Sequence, residues 1–245
     1  MESMSQNKWF KVLVPWVVVI IVALLFGWIQ RSTGSTISFI VIFEVVMFTS
    51  VWLLNHFWLH VPIFLRPTER SWRLLPINWT SLVVLLLAIA VVFGGKGNFW
   101  LSCVVLVFVG ITEEFAFRGV ILPLASKLGS VQNQLWVGIL VSSALFGVAH
   151  GVNLLHQALL ITGFQMLSAF SIGILLSALY LRTGSLVFPI LLHGLNDFLS
   201  SYGSGGLQSP QVSLTGVGLA LVYLLTGLFL LRKSKRNTIQ QPIKA

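Results

Sequence analysis

The chain has 245 residues, of which 56% are hydrophobic and only 9% charged, with a net charge of +9. Soluble domains carry about 25% charged residues, so this composition excludes an ordinary water-soluble fold and places the chain among membrane proteins. Its cations gather in loops and at the C-terminus, which reads as topology signal and lipid-headgroup contact, with no nucleic-acid partner expected; one cysteine, Cys103, excludes an internal disulfide.

Eight apolar segments can serve as membrane spans: residues 9–29, 37–59, 81–93, 99–125, 135–150, 156–181, 186–200 and 214–231. The expected fold is therefore all-α, a polytopic membrane helix bundle with about eight transmembrane helices. The first segment is too long for a signal-peptide core and no small-residue cleavage site follows it, so it reads as a retained span. Residues 61–79 (VPIFLRPTERSWRLLPINW) combine prolines, arginines and tryptophans, as an interfacial segment would. The chain divides into N-terminal spans and interfacial segment (1–80) and a helix bundle (81–245).

An even number of spans puts both termini on one side. Lys8, Lys11, Arg66, Arg70, Arg73, Lys127, Arg182, Arg232, Lys233, Lys235, Arg236 and Lys244 fall on that side, against Arg31 and Lys96 on the other. This bias predicts a multi-pass protein of the cell membrane with both termini in the cytoplasm. Trp9, Trp16, Trp28, Trp58, Trp72, Trp79 and Trp100 fall near span ends, as an aromatic belt does.

Within the second span, Glu44 is an acid that can pair with a polar group elsewhere or line a cavity. His56 and His60, at the end of that span, are expected at the interface. The fourth span holds the most informative pair. Only six acidic residues exist in the chain, and Glu113 and Glu114 stand side by side in an apolar helix. Ionisable groups at that depth cost about 2.5–3.5 kcal/mol each on insertion scales, so they mark functional sites. Arg118 lies four residues after Glu114 and can pair with it, leaving Glu113 to project elsewhere about 100° around the helix.

Phe146 and His150 share a helical face at the end of the fifth span. Asn153 and His156 follow in the turn. The seventh span carries His193, Asn196 and Asp197, which can approach one side of the helix at i, i+3 and i+4. A carboxylate and imidazoles converging from three helices could activate water and protonate a leaving amine. The same Glu113, His150 and His193 could instead hold a divalent metal such as zinc. No HExxH or GxSxG sequence is present, which argues against a zincin helix and a serine elbow.

These three places resemble the CAAX-protease and bacteriocin-processing (CPBP, Abi) family of intramembrane proteases. The family pattern EExxxR, FxxxH and HxxxN stands here as Glu113-Glu114-Phe-Ala-Phe-Arg118, Phe146-Gly-Val-Ala-His150 and His193-Gly-Leu-Asn-Asp197. The resemblance covers about residues 99–200. It implies an all-helical membrane bundle that hydrolyses peptide bonds of a peptide or membrane-tethered protein at or within the bilayer, by a glutamate-type or a metal-dependent mechanism. In the glutamate version Glu113 with His150 activates water, His193 and the residue four positions on stabilise the oxyanion, and Glu114 and Arg118 support the site. The chain departs from the pattern at Asp197, where the family commonly has Asn. An ionised Asp cannot donate to an oxyanion, so Asp197 is protonated, or Asn196 supplies the donor, or Asp197 orients His193 or binds metal.

Two other functions compete: a non-catalytic bacteriocin-immunity or scaffold protein, and a proton-coupled transporter. A depth condition bears on all three. Glu113 sits near mid-span and His150 near a span end, so they meet only if the fourth helix is tilted or broken near Gly110 or Gly119, or the fifth begins deeper.

Overall fold

In an apolar surround every backbone polar group must find its partner within the protein, and continuous apolar runs satisfy this as helices. The computed structural model describes residues 7–33, 36–67, 74, 76–95, 97–203, 212–239 and 243. Arg70, Trp72, Arg73, Lys96 and Lys244, which entered the topology reading, lie outside the described residues, as do the side chains of Arg31 and Arg236.

Among the described residues there are eight main helices and no strand. They are α1 (Lys8–Thr33), α2 (Ile37–Leu54), α3 (Trp79–Phe93), α4 (Phe99–Ser126), α5 (Gln134–Ala149), α6 (Leu159–Thr183), α7 (Val187–Gly203) and α8 (Leu214–Leu230). A π-helical turn, Asn55–Leu59, prolongs α2, and a 3-10 turn, His150–Leu155, prolongs α5. Each expected apolar segment forms a helix. Five of them, at Lys8–Gln30, Ile37–Leu59, Phe99–Ser126, Gln134–Leu155 and Leu159–Thr183, are long and apolar enough to cross a membrane. The apolar α3 and α8 are shorter, at 15 and 17 residues.

Helix starts follow from local chemistry. Thr36, Asn98 and Ser213 cap α2, α4 and α8 by accepting from the backbone N–H of Phe39, Leu101 and Gly216 at 3.1, 3.1 and 3.0 Å. α6 ends at Gly184, whose φ of 66° suits a residue without a Cβ and lets its N–H reach the Tyr180 carbonyl. After α2 the chain turns back on itself through the buried Asn55, whose amide donates to the Val61 carbonyl and accepts from the Val61 N–H at 3.0 and 2.8 Å.

α6 is the hub of the bundle. Every residue from Ser171 to Thr183 is buried, as expected of a helix enclosed on all sides. It packs between α5 and α8, while α7 lies against α3, α4 and α6. α1 and α2 close the remaining side of α4, and the Trp16 indole on α1 donates to the Leu145 carbonyl of α5 at 2.8 Å.

Candidate active site

α4 is not a uniform helix. It runs as α through Phe99–Val104, as π through Val105–Val109, as α through Gly110–Glu114, as π again through Phe115–Ile121, and as α through Leu122–Ser126. The single regular turn carrying Glu113 and Glu114 is thus bracketed by two wide turns, a device that recurs at functional sites because it redirects side chains. This supplies the irregularity that the depth condition required. Glu113 stands a few turns before the end of α4 at Ser126, and His150 a few turns after the start of α5 at Gln134, so both lie well away from the turn that joins the two helices.

Glu114 and Arg118 pair as their spacing predicts. Arg118 Nη1 donates to Glu114 Oε1 at 2.6 Å, and both side chains are wholly buried. The guanidinium also lies over the Phe146 ring, 4.4 Å from its centre. Glu114 does more than hold Arg118. Its Oε1 also accepts from His193 Nδ1 at 2.8 Å, which fixes the imidazole of α7 against α4. Glu113 is the exposed member of the pair, with 30% of its side chain accessible.

His193 can reach Glu114 because α4 and α7 cross on glycine. A Cβ on Gly110 would stand 3.1 Å from the Ile190 carbonyl oxygen and 3.2 Å from the Gly194 backbone. A Cβ on Gly194 would collide with the Leu106 carbonyl. Small residues allow this backbone-to-backbone approach between membrane helices. The other edge of the ring, Nε2, then faces two further carboxylates, Glu113 Oε2 at 3.5 Å and Asp197 Oδ2 at 3.4 Å. One imidazole therefore touches all three acids of the site.

His150 enters from the end of α5. Its Nδ1 donates to the Phe146 carbonyl at 2.9 Å, so the lone pair of the neutral ring sits on Nε2, where it can accept a proton. Phe146 is the partition of the site. Its ring meets His150 edge-on at 5.0 Å and His193 at 5.5 Å.

Two cavities adjoin at this partition. The first, about 310 Å³, is lined by Glu113, His150, Asn153, His156 and apolar residues of α1 and α2, among them Phe26, Phe43 and Met47. The second, about 510 Å³, is lined by His193, Asn196, Asp197, Ser168 and Tyr223. His150, Phe146 and Gln165 belong to both. Glu113 and His150 therefore share one cavity, and His150 shares the other with His193 and Asp197. The three motifs converge, but on two joined chambers with His150 at the junction.

Asn196 and Asp197 are neighbours in space as well as in sequence: Asn196 Nδ2 donates to Asp197 Oδ1 at 3.4 Å. Tyr223 of α8 donates its hydroxyl to Asn196 Oδ1 at 2.8 Å. Glu44 is buried on α2, where the Thr112 hydroxyl donates to its backbone carbonyl at 3.4 Å. His56 lies away from these chambers, stacked on Trp52. Asn153 and His156 were expected as turn residues; they also line the first cavity, and Asn153 donates to Gln165 at 2.8 Å.

The metal alternative requires Glu113, His150 and His193 to converge on one ion. Among the described residues no group of three or more His, Cys, Asp or Glu side chains is placed to hold a metal ion. Both histidines of the set Glu113, His150 and His193 direct Nδ1 to partners on the protein, which leaves each Nε2 facing the site.

Sequence reasoning did not single out Tyr223, Gln165, or the N-terminal helices as cavity walls. Tyr223 carried a weak signal, as the one tyrosine of the apolar α8, but nothing local points it at Asn196. The walls from α1 and α2 are ordinary apolar residues and carry no signal.

Residues 95–199 match the family model described as type II CAAX prenyl endopeptidase Rce1-like. No curated protein and no solved structure matches the chain. The matched stretch contains all three motifs, in agreement with the resemblance to the CPBP family. At the level of that family the activity is endopeptidase cleavage, and with five long apolar helices among the described residues the chain is a multi-pass membrane protein.

Proposed function

Taking residues 95–199 as an Rce1-like domain, we propose that the protein is a glutamate-type intramembrane endopeptidase that cleaves a peptide or a membrane-tethered protein. The observation that carries this reading is the cavity shared by Glu113 and His150. Glu113 is the one glutamate of its pair that is not committed to Arg118, and His150 keeps Nε2 for the site.

In this mechanism a water in the first cavity gives a proton to Glu113, with His150 Nε2 orienting it, while its oxygen adds to the scissile carbonyl carbon. The carbonyl oxygen becomes an oxyanion, stabilised by donors from α7, the protonated His193 and the Asn196 amide. As the C–N bond breaks, the proton held by Glu113 passes to the leaving nitrogen. Glu114 and Arg118 form the buried frame that holds His193, and Asp197 orients His193 from its other edge. The substrate lies across the junction at His150, with one flank in each chamber.

The asymmetry of the loop cations supports a cell-membrane location with both termini cytoplasmic. The test is cleavage of a quenched farnesylated CAAX peptide and of its unlipidated form by the purified protein in micelles. Glu113→Gln should lower kcat by about 10²–10⁴-fold while leaving thermal unfolding unchanged. Full cleavage by that variant overturns the mechanism, and a wild type that cuts neither peptide favours a non-catalytic membrane role.

A further inference from the structure

Asp197 stands four residues after His193, where the resembled family's pattern carries Asn, and as a carboxylate it only accepts. The donor must come from elsewhere on α7. Asn196, the next residue, lines the same cavity, but an asparagine amide presents either its oxygen or its NH₂, and which one faces the site depends on its partners. Two partners fix it here. Asp197 Oδ1, an acceptor, draws Nδ2 to 3.4 Å. The Tyr223 hydroxyl, 2.8 Å from Oδ1, satisfies the opposite end by donating to it. The amide is held at both ends, with a second N–H on Nδ2 beyond the one directed at Asp197.

We propose that Tyr223 is a positioning residue that locks the Asn196 amide with its NH₂ group on the side of Asp197 and the cavity, so that Asn196 supplies the donor Asp197 lacks. The inference rests on the endopeptidase reading and names a residue outside the matched stretch of 95–199. Tyr223 suits this role because it is 6% exposed and lines the same cavity as Asn196. Its ring is set in α8, which packs along the buried hub α6. The contact also ties α8 to α7 through the site.

The experiment combines turnover and spectroscopy on the full-length protein in micelles. With the quenched farnesylated CAAX peptide, Asn196→Ala should lower kcat by about 10²–10³-fold, as loss of an oxyanion donor does. Tyr223→Phe should lower kcat on the order of tenfold, the size of one oriented hydrogen bond, with KM within about twofold because substrate contacts persist. The double variant should be no slower than Asn196→Ala alone, since Tyr223 acts through Asn196. Independently of turnover, the side-chain amide resonances of Asn196 in ¹⁵N-asparagine-labelled protein should shift in Tyr223→Phe. An unmoved amide resonance, a Tyr223→Phe kcat equal to wild type, or additive losses in the double variant would each overturn the proposal. Failure of the endopeptidase reading shows differently, as an amide that shifts in a protein that cuts no peptide.

Discussion

The carbonyl oxygen of Leu106 occupies the space that a Cβ on Gly194 would need. That single crowding sets how closely α7 approaches α4, and with it whether His193 Nδ1 reaches Glu114 Oε1 at 2.8 Å. Gly194→Ala should therefore separate the two helices. Overpacking of this kind costs about 1–3 kcal/mol, and the thermal midpoint should fall together with cleavage. A variant that unfolds and cleaves like wild type would show that the crossing is not needed to assemble the site.

The two glutamates should respond differently to the same change. Glu113→Gln removes a base from a cavity and should lower kcat by about 10²–10⁴-fold with an unchanged midpoint of unfolding. Glu114→Gln leaves Arg118 buried without its counter-ion, a loss of about 3–5 kcal/mol in comparable pairs. It should expose the protein to unfolding and proteolysis before any question of rate arises. Thermal unfolding and limited proteolysis of both variants check the contrast, and equal stability of the two would remove the distinction drawn between them.

Asp197→Asn keeps the shape of the side chain, removes the charge 3.4 Å from His193 Nε2 and adds a donor. Cleavage should survive this change to within about tenfold. Complete loss of turnover in a folded variant would mean that the carboxylate itself is required.

Because no metal-ligating group is assembled among the described residues, stringent chelation should leave peptide cleavage within about twofold of the untreated enzyme. Activity lost on chelation and restored by added zinc would contradict the glutamate mechanism.

The Trp16 indole ties α1 by a hydrogen bond to the helix that leads into His150. Trp16→Phe should lower stability by about 1 kcal/mol, the worth of one intramolecular hydrogen bond, measurable as a shift in thermal midpoint. No shift would show that this bond contributes nothing to holding α1 in place.

What the sequence determined by itself is what local physics can carry. Apolar runs with few charges must become helices in a bilayer, so the eight segments and their order were legible. The Glu114–Arg118 pair was legible too, because residues four apart on a helix are neighbours whatever surrounds them. The tertiary structure decided the rest. The shared oxygen of Glu114, the three carboxylates around His193 and the Tyr223–Asn196 bond all depend on how separate helices cross. Those crossings are set by backbone contact at Gly110 and Gly194 and by two π turns in α4. Neither leaves a periodic mark in the chain, because each is a property of space between helices, and only their joint packing fixes it.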